Sequence, residues 1–216
     1  MGMPQWGYRP QAPRTLRDGD VIYAEVFCNF GGRHTQHQVT MAIGEVHEDF
    51  QRAGDVVRAA YAAGLEALRP GRTFGELADA MYKPIEAADG SVFSIAVHSL
   101  NPGLALGGIS TDIGRLPGAE VYLPVPDGRT FLADLELEPG MTFVFEPNYA
   151  FARHMVHIGG TVIVGEDEPI ELSPYTAQIL RATGRRGLRR SSPRPHGPER
   201  DDNGHPAAPA IRDDCS

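Results

Sequence analysis

Within the first third of the chain, the spacing of hydrophobic residues changes from strand-like runs to a helical repeat, and this change is the strongest constraint on the fold. Two strand-like runs, Val21–Phe30 and 38–43, flank a connection that contains Gly31 and Gly32. Apolar, β-branched and aromatic runs joined through glycine predict an antiparallel pair of strands. Beyond them, apolar residues at 50–68 recur every three or four positions, which predicts an amphipathic helix.

A second helix and further strands are predicted downstream. Arg69-Pro70-Gly71 ends the first helix, and Thr73 and Glu76 have the spacing of a capping box, which predicts a second helix through about residue 88. We predict strands at 92–97, 142–145 and 160–164, a long loop at 101–130 and a short closing helix at 174–183. Strands on both sides of a helix pair predict an α+β fold with an antiparallel sheet and covering helices.

Composition divides the chain into three parts. Residues 184–216 are rich in Pro, Gly, Arg, Asp and Ser, so they cannot bury enough apolar surface to offset the entropy of ordering. We therefore predict an extended lead-in at 1–15, a folded domain at 16–183 and a disordered Arg/Pro-rich tail at 184–216. Hydrophobic residues make up 41% and charged residues 22%, which excludes a wholly disordered chain.

Charge and cysteine content narrow the set of partners. The net charge is −8, and residues 1–183 carry 23 acidic against 13 basic side chains, which argues against nucleic acid as a partner. The arginine cluster at 185–190 is expected to be a solvated part of the tail. No window approaches 18 consecutive apolar residues, so no membrane partner is expected. Two cysteines, Cys28 and Cys215, form no disulfide framework and fit a reducing, cytoplasmic location.

Four polar side chains lie in or beside predicted strands: Glu25, Gln36, His98 and Glu146. A buried polar group without a partner costs about 1–3 kcal/mol, so these groups are expected to partner one another. Glu146 follows an apolar strand, and burial near another carboxylate would raise its pKa, as a general acid or base requires. A solvent-exposed Glu146 and a purely structural His98 are the alternatives. His154 and His157, three residues apart, would face opposite sides of a strand.

The order of several short motifs resembles the creatinase/Xaa-Pro aminopeptidase family. These motifs are Leu16-Arg17-Asp18-Gly19-Asp20-Val21, Gly32 and Gly44, Arg69-Pro70-Gly71, His98-Ser99, Gly140-Met141 and Glu146-Pro147. The resemblance covers about residues 15–172 and only the C-terminal part of the family's catalytic domain. It implies the pita-bread fold shared with methionine aminopeptidase, lacking its first helices, with 16–183 as a partial catalytic domain. It also implies hydrolysis of a C–N bond in a peptide or small molecule.

The same resemblance bears on metal binding. Metal-dependent members of that family hold two divalent ions through two Asp, one His and two Glu. The resemblance places these five ligand positions, in this sequence, at Glu25, Gln36, His98, Glu146 and Gly159. Because Gln36 is neutral and Gly159 has no side chain, we expect no cofactor, as in the family's metal-free branch. One divalent ion such as Mn²⁺ or Co²⁺, held by Glu25, His98 and Glu146, is the alternative.

Three functions stay open at this point. The first is a metal-free C–N hydrolase in which His98 and Glu146 are catalytic while Glu25 and Gln36 contact the substrate. The second is a metal-dependent Xaa-Pro-type aminopeptidase with a degraded metal site. The third is a non-catalytic, peptide-binding pita-bread domain. A peptide or small molecule is the expected partner, and a homodimer is one candidate assembly because relatives are often dimers.

Overall fold

The computed structural model describes residues 14–92, 95–100, 130, 132–152, 154–173 and 175–182. The chain divides into two compact units, Met1–Gly184 and Arg185–Ser216, and all described residues belong to the first. The predicted lead-in and the predicted loop at 101–130 lie almost entirely outside the described residues, and the predicted tail lies wholly outside them.

A long hairpin begins the fold. Strands β1 (Val21–Phe30) and β2 (Arg33–Ile43) pair antiparallel in continuous register. Gly31 and Gly32 form the turn at φ +57° and +77°, backbone that glycine adopts without steric cost. The predicted bounds of β1 are confirmed, whereas β2 begins earlier than the apolar run because polar residues continue the pairing.

Two helices follow the hairpin, as predicted. They are α1 (Glu48–Ala67) and α2 (Phe74–Glu86). The capping box is present: Glu76 N–H donates to Thr73 Oγ1 at 3.2 Å, and Thr73 N–H donates to the Glu76 carboxylate at 2.8 Å. This pairing satisfies two backbone donors that a helix start leaves open. In the described part of the chain, no helix is long and apolar enough to cross a membrane.

The remaining strands complete one sheet and a separate ribbon. They are β3 (Val97–Ser99), β4 (Thr142–Phe145), β5 (Asn148–Phe151), β6 (His154–His157), β7 (Gly159–Ile163), β8 (Ile170–Glu171) and β9 (Ile179–Ala182). The sheet has the order β1-β2-β7-β4-β3 with antiparallel neighbours, and β8 pairs with β7. Strands β5 and β6 form the ribbon. The predicted α+β class with an antiparallel sheet is therefore confirmed.

The helices pack on the β4 region of the sheet. Tyr61 of α1 meets Phe145 edge-on with ring centroids 5.6 Å apart, and Phe74 of α2 stacks on Phe143 at 5.4 Å. All four side chains are at most 2% exposed. Burial of such aromatic rings contributes about 1.5–3 kcal/mol each, so this interface is a main part of the core.

Two predicted elements are wrong. The strand predicted at 92–97 lies instead at β3, while Ser91 forms an isolated bridge with Ala150. The helix predicted at 174–183 is replaced by β9, which pairs parallel with β2 from Thr40 to Ile43. Strand β7 pairs with β2 at His37 and Gln38, so β9 continues the pairing of β2 beyond that point. Tertiary hydrogen bonding of this kind outweighs a weak local helix preference.

Gly159 marks a close approach between β7 and the end of β4. Its φ is +124°, and a Cβ placed there would overlap the carbonyl oxygen of Phe145. A backbone carbonyl held in a sheet cannot swing away as a side chain can. Position 159 therefore requires glycine on both conformational and steric grounds.

Gly159→Ala is expected to lower the free energy of unfolding by about 3 kcal/mol or more, because conformational strain adds to overlap with main-chain atoms. Gly140→Ala is the matched control: its φ is +88°, but open space surrounds its Cβ position. We expect a loss of about 1 kcal/mol there, from conformational strain alone. Urea denaturation followed by circular dichroism measures both changes, and equal losses would contradict the steric role of Gly159.

Candidate functional site

Six polar residues gather where β1, β2, β3, β4 and β6 come together. We call this set the Glu146 cluster; its members are Glu25, Gln36, Gln38, His98, Glu146 and His157. Four of them are less than a tenth exposed, namely Gln36, Gln38, Glu146 and His157. Glu25 is exposed and His98 is half-buried. Buried polar groups at this density are rare unless they serve one another or a ligand.

Strand alternation and the close approach of β7 to β4 position the amides beside the carboxylate. Gln36 and Gln38 are two residues apart on β2, so their side chains lie on the same face of the sheet. Gln38 is paired with Gly159 of β7, which adjoins the end of β4. The close approach of β7 to the end of β4 at Gly159 places Glu146 near β2. Gln38 Nε2 donates to Glu146 Oε2 at 2.9 Å.

The Glu146 carboxylate is the centre of the cluster. Gln36 Nε2 also donates to its Oε2, at 3.1 Å. His98 Nε2 lies 3.6 Å from Oε1, and His157 Nε2 lies 3.8 Å from Oε2. Glu25 joins through Gln38, whose Nε2 lies 3.4 Å from Glu25 Oε1. The two carboxylates therefore share one amide donor.

Burial sets the protonation of the cluster. Burial, and after it the charge of Glu25, raises the pKa of Glu146 to about 8, against the hydrogen bond from Gln36. Burial lowers the pKa of His157 to about 4. Both groups are therefore mainly uncharged at neutral pH when no cation is bound. A site of this kind can give up a proton, or exchange it for a positive ion.

Three members of the cluster can act as ligands to a metal ion. Glu25, Glu146 and His157 each offer a ligand atom, and these atoms lie within 4.8 Å of one another. Gln38 Oε1 is buried, and no donor among the described residues hydrogen-bonds to it. Carboxylate, imidazole and carbonyl donors together suit a divalent ion such as Mn²⁺, Co²⁺ or Zn²⁺.

The residues present suit one ion better than two. Gln36 directs its amide nitrogen at Glu146, so it supplies no anionic ligand. Position 159 cannot carry a carboxylate at all, because its backbone excludes any side chain. Two divalent ions would bring four positive charges to a site that holds two carboxylates. Their mutual repulsion would remain largely uncompensated.

The structure brings the four sequence-predicted residues into one place. Gln36 and Glu146 are hydrogen-bonded, His98 adjoins Glu146, and Glu25 is reached through Gln38. Gln38 and His157 were not predicted as site residues from the sequence. The signal for Gln38 is its spacing of two from Gln36, which places both on one strand face. The signal for His157 is that it and His154 face opposite sides of a strand, so one of them can point inward.

Comparison with known proteins adds an independent finding. Residues 5–166 match the family described as Metallopeptidase family M24. The probable dipeptidase PepE of Mycobacterium tuberculosis is 30% identical over 179 residues, covering 82% of this chain and 42% of that protein. Methionine aminopeptidase B of Synechocystis is 27% identical over 138 residues, covering 64% of this chain and 45% of that protein.

Solved structures with the same fold include peptidases. The dipeptidase PepE from Mycobacterium ulcerans superposes with a TM-score of 0.60 at 18% identity, covering 80% of this chain and 43% of that one. The X-Pro aminopeptidase from Thermotoga maritima gives 0.59 at 17% identity, covering 77% and 43%. The pita-bread fold implied by the sequence is therefore confirmed. The chain spans less than half the length of these relatives.

The expectation of no cofactor is wrong. It rested on Gln36 and Gly159 at positions where acidic ligands were expected, which removes two ligands but not the whole donor set. The matching family is one of metallopeptidases, and the described residues include groups that can hold a metal ion. His157, which was missed, supplies an imidazole in addition to His98.

When a chelator removes metal, the free energy of unfolding is expected to fall as the pH rises from 6.5 to 8, because unfolding releases the proton of Glu146. In this window folded Glu146, with its pKa of about 8, retains a proton that the unfolded chain, near 4.5, has lost. The free energy of unfolding then decreases by about 2 kcal/mol. His157 opposes this trend only below pH 6.5, where the unfolded chain takes up a proton that the folded chain lacks.

Glu146→Gln should abolish the decrease between pH 6.5 and 8. The exposed Glu166→Gln makes the same chemical change outside the cluster and should leave the decrease in place. Urea denaturation at a series of pH values measures both variants. A decrease in Glu146→Gln as steep as in the wild type would contradict the assignment.

Proposed function

This chain belongs to metallopeptidase family M24, and we propose that it hydrolyses a C–N bond of a peptide or peptide-like small molecule with one divalent ion in the Glu146 cluster. The observation that carries this proposal is that ligand atoms of Glu25, Glu146 and His157 lie within 4.8 Å of one another. The Gln38 amide, whose nitrogen donates to both carboxylates, also has a buried oxygen to which no donor among the described residues hydrogen-bonds. Relatives named as dipeptidases and aminopeptidases support a peptide as the substrate class.

The proposed ion would be held by Glu25, Glu146 and His157. When bound, it would supply Lewis acidity toward the carbonyl group of the scissile bond. Its positive charge would also offset the burial and the Glu25 repulsion that raise the pKa of Glu146. The carboxylates could then both be ionised in the same pocket.

His98 is the proposed proton carrier. Its Nδ1 lies 2.9 Å from the carbonyl oxygen of Ser99, which fixes a proton on Nδ1 when the ring is neutral. Nε2 then presents a lone pair toward Glu146 Oε1, 3.6 Å away. The side chain is 21% exposed, so a substrate can reach it. An imidazole held in this way can take up a proton and pass it to a leaving amine.

Gln36 and Gln38 are proposed to orient Glu146. Both amides donate to Oε2, which fixes the plane of the carboxyl group and leaves Oε1 turned toward His98. Neutral donors hold the carboxyl group without adding charge to the pocket. This differs from an acidic residue at position 36, which would repel Glu146 whenever no ion lies between them.

The first experiment measures metal content and activity together. Chelator-treated protein is reloaded with Mn²⁺, Co²⁺ or Zn²⁺, its bound metal is counted by elemental analysis, and it is assayed against dipeptides, including Xaa-Pro sequences. Glu146→Gln should lose one equivalent of ion relative to the wild type and lower kcat/KM about 100-fold or more. Glu166→Gln is the matched control and should change neither quantity.

His98→Ala separates proton transfer from metal binding. It should keep the wild-type metal content while lowering kcat by about 100-fold, because it removes the proton carrier and none of the three proposed ligands. Loss of two equivalents in Glu146→Gln would indicate a dinuclear centre and contradict the proposal. Peptide binding without turnover of any tested peptide would instead favour a binding module.

A further inference from the structure

We propose that His47, Asp49 and His154 form a second metal site that takes a transition-metal ion such as Zn²⁺. We call this set the His47 cluster. It shares no residue with the Glu146 cluster, and it lies where the N-terminus of α1 meets β6. The inference does not depend on the proposed function.

The geometry brings two imidazoles to one carboxylate oxygen. His47 Nδ1 lies 3.4 Å and His154 Nδ1 lies 3.3 Å from Asp49 Oδ2. The two rings are stacked, with centroids 4.1 Å apart and planes within 5° of parallel. One ligand atom from each residue falls within 4.8 Å of the others. Because the lone pair of each nitrogen lies in its ring plane, the parallel rings must tilt before both nitrogens can reach one zinc ion at about 2.0–2.1 Å.

The carboxylate is already oriented by a neighbouring cation. Arg52 Nη1 donates to Asp49 Oδ1 at 2.9 Å, and its guanidinium lies 3.9 Å from the centre of the Phe151 ring. With Oδ1 engaged by Arg52, Oδ2 is turned toward the imidazoles. Outer contacts of this kind commonly fix the orientation of metal ligands.

Neighbouring groups also fix the positions of the two histidines. His154 is 16% exposed and is held edge-on by the Phe50 ring at 5.0 Å. His47 Nδ1 accepts a hydrogen bond from Asp49 N–H at 3.2 Å, so this nitrogen carries no proton and its lone pair faces Asp49. Binding would exchange this long hydrogen bond for a metal–nitrogen bond. His47 is half exposed, which gives an ion a route into the cluster.

The donor set selects the class of ion. Two imidazole nitrogens and one carboxylate oxygen favour Zn²⁺, Co²⁺, Ni²⁺ or Cu²⁺, whereas Mg²⁺ and Ca²⁺ prefer sites made wholly of oxygen. One charged carboxylate and one divalent ion leave a net positive charge. Arg52 would add to it, so we expect moderate rather than very tight affinity.

The test uses Co²⁺ and Zn²⁺ with the full chain in a Glu25→Gln/Glu146→Gln background, which removes two ligands of the other cluster. Visible absorption of bound Co²⁺ reports its nitrogen and oxygen ligands, and calorimetric titration gives the Zn²⁺ affinity. We expect binding in this background. His47→Asn should weaken it about tenfold or more, while an asparagine still caps the start of α1.

His154→Ala is the second ligand variant, and His34→Ala is the control because His34 is exposed and lies outside both clusters. His154→Ala should lose the Co²⁺ spectrum, and His34→Ala should keep it. Unchanged Zn²⁺ affinity in both His47→Asn and His154→Ala would overturn the inference, as would no binding by the background chain at millimolar Zn²⁺. Either result would leave the proposed function of the Glu146 cluster intact.

Discussion

The site depends on a carboxyl group held inside a sheet by neutral amides. Glu146 is buried at the end of β4, and both nearby donors come from one face of β2. Gln38 is paired with Gly159 on β7, where a side chain would overlap the carbonyl oxygen of Phe145. This glycine therefore allows the strand that pairs with Gln38 to lie against the end of β4, where Glu146 is located.

The proposed single-ion site accommodates the apparent loss of two metal ligands. The residues at matched positions predicted no cofactor, with one divalent ion as the alternative, because Gln36 and Gly159 supply no acid. In the proposed site, His157 adds an imidazole whose ligand atom lies within 4.8 Å of those of Glu25 and Glu146. A donor set of two carboxylates and one imidazole matches the charge of one divalent ion. Burial keeps Glu146 and His157 mainly uncharged at neutral pH when no ion is bound, while the charge of Glu25 adds to the raised pKa of Glu146.

Local patterns predicted most of the fold but less of the site. The hairpin, both helices and the capping box follow from residue periodicity and short-range hydrogen bonds, which the sequence displays directly. Strand β9 was missed because its partner, β2, is more than a hundred residues away along the chain. Gln38 and His157 were missed for a related reason: their burial is set by neighbours that only the tertiary fold supplies. Glu25, Gln36, His98 and Glu146 were found as polar residues in or beside predicted strands, and the family resemblance places metal-ligand positions on the same four.

The short strand β6 joins the two clusters. His154 turns toward Asp49 of α1, and His157 turns toward Glu146, because residues three apart on a strand lie on opposite faces. A slip of one residue in the pairing of β5 with β6 would reverse both faces together. The two imidazoles would then be withdrawn from their carboxylates in a single event. The register of β5 with β6 therefore sets the orientation of both histidines, and a change in that register would affect the Glu146 cluster and the His47 cluster together.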